Sequence, residues 1–270
     1  MTNNLDETTY RADAWKTENT LTYDNTFNDM HTVGVLLSTT ADHYSKRGLE
    51  VNGKDLSDES AYLQYLSYAN SVSATDYLTG PDANVSLIAR LAYSFNDRYF
   101  VTASWRRDYA GRLPKDNNYG DFPAVTAGWK ISNESFFPKS ETLNLLKIRA
   151  SWGQLGNQNI GLYPYQAMIA GVSNYPFDKK TETVGYQQKA YANRDIKWET
   201  TTITDVGFDL QVFNGLNVTF DWYKKVTSDI LRKSQVSNIL GLEAPTVNSG
   251  EVENKGFEIA FNYNNMITCS

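Results

Sequence analysis

The chain has 270 residues and a formal net charge of −6 at pH 7. Because nucleic-acid binding relies on Lys and Arg contacts to phosphate, this acidic balance argues against a nucleic-acid partner. The mean hydropathy is −0.50, and no apolar run approaches the roughly 20 residues that a membrane helix needs. A membrane strand needs only about 9–11 residues with one apolar face, so the composition still permits one.

Nine segments alternate apolar and polar residues with the period of two that is typical of strands. In chain order they are residues 20–27, 31–39, 85–96, 99–107, 122–131, 145–153, 206–212, 216–222 and 257–263. In the clearest segment, one face carries Val85, Leu87, Ala89, Leu91, Tyr93 and Phe95. Its length matches a strand that crosses a bilayer, and we predict about nine such strands.

The facing of these residues predicts the length of two hairpin turns. Phe95 must lie opposite Tyr99 if the two apolar faces coincide, which leaves the three residues 96–98 as a turn. By the same reasoning Val212 lies opposite Leu216, with Phe213, Asn214 and Gly215 between them. We expect Gly215 to take the left-handed conformation in that turn.

The connections between these strands differ in length. We predict short ones after Phe27, Phe95, Ile131 and Phe213, and long polar ones at about 40–84, 108–121, 154–200 and 229–254. Short turns on one side and long loops on the other are typical of outer-membrane barrels. The pattern favours an all-β fold, an antiparallel up-and-down transmembrane β-barrel segment of about nine strands that is an open sheet in isolation. A soluble β-sandwich or propeller is the alternative.

Two features of the ends bear on this interpretation. Residues 1–6 lack the basic stretch and apolar core of a signal peptide, although an outer-membrane protein must be exported. We therefore expect the sequence to be a fragment of a longer protein. The single cysteine, Cys269, excludes a disulfide framework or a zinc cluster built within this chain.

An ordered series of short strings goes beyond pattern. It consists of RYFVTASWRRD (98–108), YGDFPA (119–124), GWKI (128–131), ESF (134–136), LKIRASWG (146–153), GNQ (156–158), IKWETT (196–201), GFDL (207–210), DWYKKVT (221–227) and NSGEVENKGFE (248–258). In this order and spacing, the series resembles the late barrel of SusC/RagA-type TonB-dependent (TonB-linked) outer-membrane transporters of Bacteroidetes. The resemblance is clearest over residues 20–263.

The resemblance implies that residues 1–270 are part of the β-barrel domain of such a receptor, located in the cell outer membrane as a multi-pass β-barrel. Family members are longer and carry a signal peptide, a TonB box and a plug domain inside a barrel of about 22 strands. The plug domain is absent from this sequence, and further strands are expected after Tyr263. The implied partners are a SusD-like lipoprotein, the TonB complex, an oligosaccharide or peptide substrate and outer-membrane lipid. Transport is therefore expected of the full-length parent rather than of this chain alone.

No catalytic, cofactor-binding or metal-binding constellation is recognisable, and we predict that the chain is not an enzyme and takes no cofactor. His31 and His43 lack metal-ligand spacing, and we interpret them as a strand-start residue and a loop residue. The acidic residues Asp55, Asp58 and Glu59 are interpreted as a solvated loop, with a calcium site as the minor alternative.

Charged residues on the polar faces should point into a lumen, because lipid exposure would cost about 2–4 kcal/mol for each basic one at mid-depth. The set comprises Arg90, Arg106, Lys147, Arg149, Asp209, Asp221 and Glu258. We favour inter-strand salt bridges over substrate or plug contacts for any one of them. The alternative function is a soluble extracellular β-rich carbohydrate-binding module with Tyr and Trp as stacking platforms.

Overall fold

The computed structural model describes residues 3–56, 60, 64–138, 142–176, 182–213, 215–237, 239 and 241–263. Its strands are β1 (Asn4–Phe27), β2 (His31–Leu56), β3 (Ala69–Phe95), β4 (Tyr99–Ala110), β5 (Tyr119–Lys130), β6 (Leu143–Asn157), β7 (Ile169–Pro176), β8 (Glu182–Gln188), β9 (Glu199–Val212), β10 (Leu216–Ser228), β11 (Leu231–Lys233), β12 (Thr246–Asn248) and β13 (Glu251–Tyr263). Short 3₁₀ turns occur at Leu66–Tyr68 and Ile131–Asn133. In the described part of the chain, no helix is long and apolar enough to cross a lipid bilayer.

Nine strands form one sheet in the order β1-β2-β3-β4-β5-β6-β9-β10-β13. Neighbours in this order are also neighbours in sequence, except where two small hairpins, β7–β8 and β11–β12, are inserted into long connections. The pairings from β4 to β13 are antiparallel. In the described residues, β1 and β13 are the two ends of the order. The predicted antiparallel all-β fold with nine strands in an open sheet is confirmed.

Several strands continue beyond the predicted segments. The region from 40 to 84, predicted as a long connection, is strand up to Leu56 and again from Ala69, and β1 begins at Asn4 rather than near residue 20. The reason is physical: backbone pairing continues where side chains on both faces are polar, so the apolar alternation ends before the strand does. The prediction of a short connection after β5 was also wrong, because this connection runs from Ile131 to residue 142 and is not a tight turn.

Three residues separate β1 from β2, β3 from β4 and β9 from β10, at positions 28–30, 96–98 and 213–215. In each turn the N–H of the third residue donates to the carbonyl oxygen of the last residue of the preceding strand. In the β3–β4 turn, the Arg98 nitrogen lies 2.9 Å from the Phe95 oxygen. Val212 lies opposite Leu216, as the facing argument predicted. Gly215 is not the left-handed residue, however, because the positive φ angle of 52° belongs to Phe213.

From β4 to β13, the register of the main sheet places one residue of each strand in a common row: Tyr99, Trp129, Ile148, Phe208, Phe220 and Ile259. Relative to this row, the tryptophans Trp105, Trp152 and Trp222 lie six, four and two residues toward the long connections. The opposite ends of the apolar segments shift by the same amount from strand to strand. The shift is two residues from β4 to β6 and two from β6 to β10, an average of one residue per strand, and such a stagger is typical of tilted strands in a barrel wall.

The chain divides into two compact units. The first comprises residues 1–17 and 41–84 and is held by backbone pairing and by exposed ring contacts. Lys46 lies over the Tyr10 ring at 4.1 Å, and Trp15 stacks on His43. His43 therefore lies inside β2, and its prediction as a loop residue was wrong for the same reason as the strand boundaries.

The second unit comprises residues 18–40 and 85–270. Its buried apolar cluster consists of Ala110, Leu113, Phe122, Ile196 and Trp198, where the long connections meet the ends of β4 and β5. The apolar face of the sheet, in contrast, remains exposed over much of its area. The sheet thus has no core on that face within the described residues.

Candidate functional site

Charged residues of β6, β9 and β10 form one group on the polar face of the sheet, with Arg149 at its centre. The Arg149 guanidinium lies 2.7 Å from Asp221, 3.3 Å from Asp209 and 3.7 Å from Asp205. All four side chains are partly buried, between 21% and 31% exposed. The group carries one positive and three negative charges, so it presents an excess of carboxylate on this face.

Gly207 makes the central ion pair possible. Arg149 and Asp221 lie opposite Gly207 from its two sides, on strands that are not direct neighbours. A Cβ at position 207 would collide with the Asp221 carboxylate and with the carbonyl oxygen of Phe220. Because glycine has no side chain, the Asp221 carboxylate can lie over β9 and reach the guanidinium.

The structure confirms inter-strand ion pairing for Arg149, Asp209 and Asp221 and gives a different result for the rest of the predicted set. Arg106 pairs within its own strand, at 2.8 Å from Asp108. Lys147 lies 5.2 Å above the Phe100 ring. In the described part of the chain, Arg90, Lys147 and Glu258 make no ion pair, and Glu258 lies directly opposite Asp221. Inter-strand pairing was therefore wrong for these four residues.

Asp205 was missed by the sequence analysis. It is a member of the group that contacts Arg149, and it lies two residues before Gly207 on the face shared with Asp209. The string Asp205-Val206-Gly207-Phe208-Asp209 contains the signal, since two carboxylates flank a glycine at strand spacing. Which arginine these carboxylates contact depends on which distant strands pair, and the local string carries no information about that pairing.

Aromatic rings form a continuous row beside two of the tight turns. His31, the first residue of β2 as predicted, hydrogen-bonds to the Tyr93 hydroxyl at 2.8 Å and contacts Phe95. Phe95 stacks on Tyr99, and Tyr99 stacks on Trp129, with ring centroids 6.3 Å apart in both pairs. The row crosses four strands on the apolar face.

Polar side chains join the β3–β4 turn to the 3₁₀ turn after β5. Lys130 donates to the Asp97 carboxylate at 2.8 Å and Asn133 donates to it at 3.0 Å, and these contacts hold the pKa of Asp97 below its usual value. Glu134 accepts hydrogen bonds from Tyr99 and from Trp129 and pairs with Arg98 at 3.2 Å. The hydrogen bond from Tyr99 is the main reason that the pKa of Glu134 is also lowered. We call Asp97, Arg98, Lys130, Asn133 and Glu134 the turn network.

No group of three or more His, Cys, Asp or Glu side chains suited to hold a metal ion occurs among the described residues. Three acidic residues were considered as an alternative calcium site. Asp55 lies at the end of β2, whereas Asp58 and Glu59 lie outside the described residues. The predictions of no metal and no cofactor therefore stay predictions.

The family model for "TonB dependent receptor-like, beta-barrel" matches residues 2–268. TonB-dependent receptor P39 of Formosa agariphila is 33% identical over 251 residues, which are 91% of this chain and 23% of that protein. TonB-dependent receptor SusC of Bacteroides thetaiotaomicron is 33% identical over 233 residues, 84% of this chain and 22% of that protein. The chain thus spans about a quarter of the length of these curated relatives.

Solved structures show the same fold. The RagAB peptide importer in its closed-closed state superposes with a TM-score of 0.84 over 99% of this chain and 29% of the matched chain, at 24% identity. The SusC/RagA-type resemblance drawn from the ordered strings is confirmed by these relatives. Across nearly its whole length, the chain belongs to the TonB-dependent receptor-like β-barrel family.

Proposed function

We propose that residues 1–270 form part of the wall of an outer-membrane β-barrel, with the apolar face against lipid and the polar face toward the lumen. The observation that carries the proposal is the exposure of large apolar side chains on one face, such as Phe257 and Phe261, each 71% exposed, and Leu21, 67% exposed. Soluble proteins seldom leave a contiguous apolar surface of this extent uncovered. In an outer-membrane barrel the same face is covered by lipid.

The apolar face is bounded at both ends in a way that fits a membrane. Four apolar segments are equally long: Tyr99 to Trp105, Leu146 to Trp152, Leu216 to Trp222 and Phe257 to Tyr263. The first three follow the stagger of the sheet, and the fourth lies directly opposite the third. Each extends about 20 Å along its strand and ends in an aromatic residue on at least one side. Aromatic girdles at two interfaces are typical of such barrels, and the tight turns are then on the periplasmic side.

The proposed activity of the whole protein is TonB-dependent import of glycan oligomers or peptides together with a SusD-like lipoprotein. Support comes from the family, from the relative named SusC and from RagAB, which is a peptide importer. The relatives are receptors and transporters rather than enzymes, and no catalytic role is proposed here. The Arg149 group lies on the face that would meet the plug domain or the substrate.

A soluble carbohydrate-binding module is the second candidate. It would need a cover for the apolar face, and no described element lies over that face as a second layer. The exposed rings of Tyr10, Trp15 and Tyr68 provide stacking surfaces for sugars, but an extracellular loop of a barrel provides them equally. The exposed apolar face therefore supports the barrel wall over the soluble module.

Cysteine labelling in cells tests the proposed position in the membrane. In the full protein carrying this sequence, with Cys269 replaced by serine, we compare Val218→Cys on the apolar face with Thr219→Cys on the polar face. A small, charged maleimide should label the cysteine at position 219 through water and leave the cysteine at 218 unreacted in lipid. Equal labelling of both positions would support the soluble module instead.

Uptake measurements test the substrate class. Cells that lack the protein should lose uptake of fluorescent oligosaccharides or of fluorescent oligopeptides, and expression of the full protein should restore it. Loss of neither class would contradict the proposed import activity while leaving the membrane position intact.

A further inference from the structure

Four of the strings from the sequence analysis meet at one junction on the side of the long connections. Phe122 of YGDFPA packs edge-on against Trp198 of IKWETT, with ring centroids 5.5 Å apart. The Phe122 ring lies where a Cβ of Gly156, from GNQ, would be. The Asn248 amide of NSGEVENKGFE accepts from the Lys197 N–H at 2.9 Å and donates to the Lys197 carbonyl oxygen at 2.8 Å. The junction thus joins β5 and β6 to the connections that precede β9 and β13.

The junction fills a split in the main sheet. The pairing of β5 with β6 ends at Ala124 and Gly153. Beyond this pair, β5 stays paired with β4 as far as Tyr119, and β6 stays paired with β9 as far as Asn157. Gly153 directly follows Trp152, which ends the apolar segment of β6. The split therefore begins just outside the proposed membrane boundary.

A cavity of about 290 Å³ lies in this split. Its floor consists of the two packed rings, Phe122 and Trp198, which are 6% and 8% exposed. Consecutive residues of β5, from Tyr119 to Phe122, line the cavity, although neighbours on a strand point to opposite faces. The cavity therefore lies at the edge of the strand, within the thickness of the sheet, rather than on either face.

Most charged groups around the cavity are already paired. The Lys197 ammonium lies 2.8 Å from the Asp229 carboxylate, and Arg107 holds the Asp121 carboxylate at 2.6 Å. Asp116, at the exposed rim, is the one lining carboxylate without an ion pair among the described residues. A charged ligand would therefore find a single exposed carboxylate and, in this part of the chain, no unpaired cation.

The hydrogen-bonding groups that remain are uncharged. Within the described residues, the Asn117 amide and the Thr200 hydroxyl in the lining have no hydrogen-bond partner. The indole N–H of Trp198 has none there either, which is uncommon for a buried donor. Gln154 makes one long contact, 3.4 Å to Thr202, through its amide nitrogen. Hydroxyl groups match such a mixture of donors and acceptors, because each hydroxyl both donates and accepts.

The size of the cavity and its aromatic rim narrow the ligand further. Sites for small molecules usually measure about 300–1,000 Å³, so this cavity admits a single ring rather than an oligomer. Tyr119 lies at the rim, 49% exposed, and Arg107 over its ring at 5.0 Å holds it in place. An aromatic ring offers an apolar surface to the C–H groups of a sugar ring, whose hydroxyl groups would then meet the polar lining.

We propose that this cavity binds one uncharged sugar unit of an oligosaccharide, with its hydroxyl groups on Asn117 and Thr200 and its ring against Tyr119. The inference rests on the proposed import function and deepens it, because it selects oligosaccharides over peptides. The site lies at the outer end of the wall, where an oligosaccharide would be held before transport begins. The two hydrogen bonds from Asn248 fix the connection that carries Trp198, so the cavity does not depend on a ligand for its shape.

Photo-crosslinking with sugar probes tests the proposal. The full protein carrying this sequence, purified in a detergent without sugar groups, is irradiated with diazirine-bearing alkyl glycosides of glucose, galactose and mannose. Mass spectrometry then identifies the labelled peptides. At least one probe should label residues 116–122 or 197–200, and an excess of the matching methyl glycoside should abolish that labelling.

The variant Thr200→Val should weaken the apparent affinity of the methyl glycoside about three- to tenfold, which is the loss expected for one hydrogen bond. Thr204→Val is the matched control, since it makes the same change on the same face of β9 outside the cavity. It should leave the affinity unchanged. Should Thr200→Val fail to fold, Asn117→Ala, in the turn before β5, carries the same expected loss.

The outcomes separate this site from the import function. Absence of labelling in the two segments, or labelling that Thr200→Val leaves unchanged, would overturn the sugar site, and oligosaccharide uptake in the same cells would leave the import function standing. Stronger labelling by the same diazirine on glycinamide, which carries an ammonium group, would overturn the choice of an uncharged ligand. Competed sugar labelling in a protein that restores no oligosaccharide uptake would support the site and contradict the import function.

Discussion

At the scale of single residues, Gly207 shows how one missing side chain can join strands that are not neighbours. The Asp221 carboxylate lies where a Cβ of residue 207 would be, and from there it meets Arg149. Three carboxylates and one guanidinium share this part of the polar face, and the excess negative charge is tolerable because the guanidinium contacts all three. The group of charges around Arg149 thus depends on the absence of a side chain at position 207.

Substitution of Gly207 by alanine should lower the free energy of unfolding by about 2 kcal/mol, because the added Cβ meets backbone and a held carboxylate. Gly256→Ala is the matched control, since its Cβ would meet mainly the far end of the Tyr223 side chain. Urea unfolding of the full protein in detergent measures both. Equal effects of the two substitutions would show that Asp221 does not depend on the space at Gly207.

Phe213 is a second residue whose conformation matters. Its φ angle of 52° is costly for an aromatic residue, by about 1–2 kcal/mol, and its side chain is exposed. Phe213→Gly should therefore raise the free energy of unfolding by about 1 kcal/mol. Asn217→Gly, within β10, should lower it, because glycine weakens the interior of a strand. A destabilised Phe213→Gly variant in the same unfolding experiment would contradict this account of the turn.

At the scale of elements, the strands of the main sheet, their extensions and the small hairpins differ in how well the sequence predicts them. The nine apolar segments identify all nine strands of the main sheet, because alternation is a local property of each strand. The extensions of β1, β2 and β3 and the small hairpins carry no such pattern, since their pairing is made by backbone groups. The Arg149 group lies between these cases: its charged residues can be assigned to one face, whereas their partners depend on which strands pair.

The turn network should make the β3–β4 turn sensitive to acid. The pKa values of Asp97 and Glu134 are both lower in the folded protein than the usual values near 4, so the network stabilises the turn above about pH 4. This contribution is lost as the pH falls through the lowered pKa values and the carboxylates become protonated.

Hydrogen exchange measures this loss. Protection of the peptide containing residues 96–98 in the full protein, corrected for the intrinsic effect of pH, should decrease between about pH 5 and pH 2. Asp97→Asn should reduce protection at neutral pH and flatten the dependence on pH. The turn after β9, where no carboxylate contact of this kind occurs among the described residues, serves as the internal control. An identical pH response of both turns would contradict a role for the network.

At the scale of the whole molecule, nine strands in an open order leave hydrogen-bonding groups on β1 and β13 without a strand partner in the described residues. Lipid cannot satisfy such groups, and each one costs several kcal/mol there. A recombinant chain of residues 1–270 alone should therefore form no stable pore. Conductance recordings in planar bilayers test this expectation, with the full protein as the comparison, and discrete channels from the 270-residue chain would contradict it.

The stagger of the sheet has a consequence for insertions and deletions. Between Tyr99 and Trp105, a one-residue insertion would exchange the faces of everything beyond it, and a two-residue insertion would keep the faces but move Trp105 out of line with Trp152 and Trp222. A change of length in one strand would therefore need either a matching change in the neighbouring strands or a β-bulge, such as the register shift at residues 143–145 of β6. Variation in length among relatives should therefore accumulate outside these segments, in the long connections, because residues there are not held in register by a neighbouring strand.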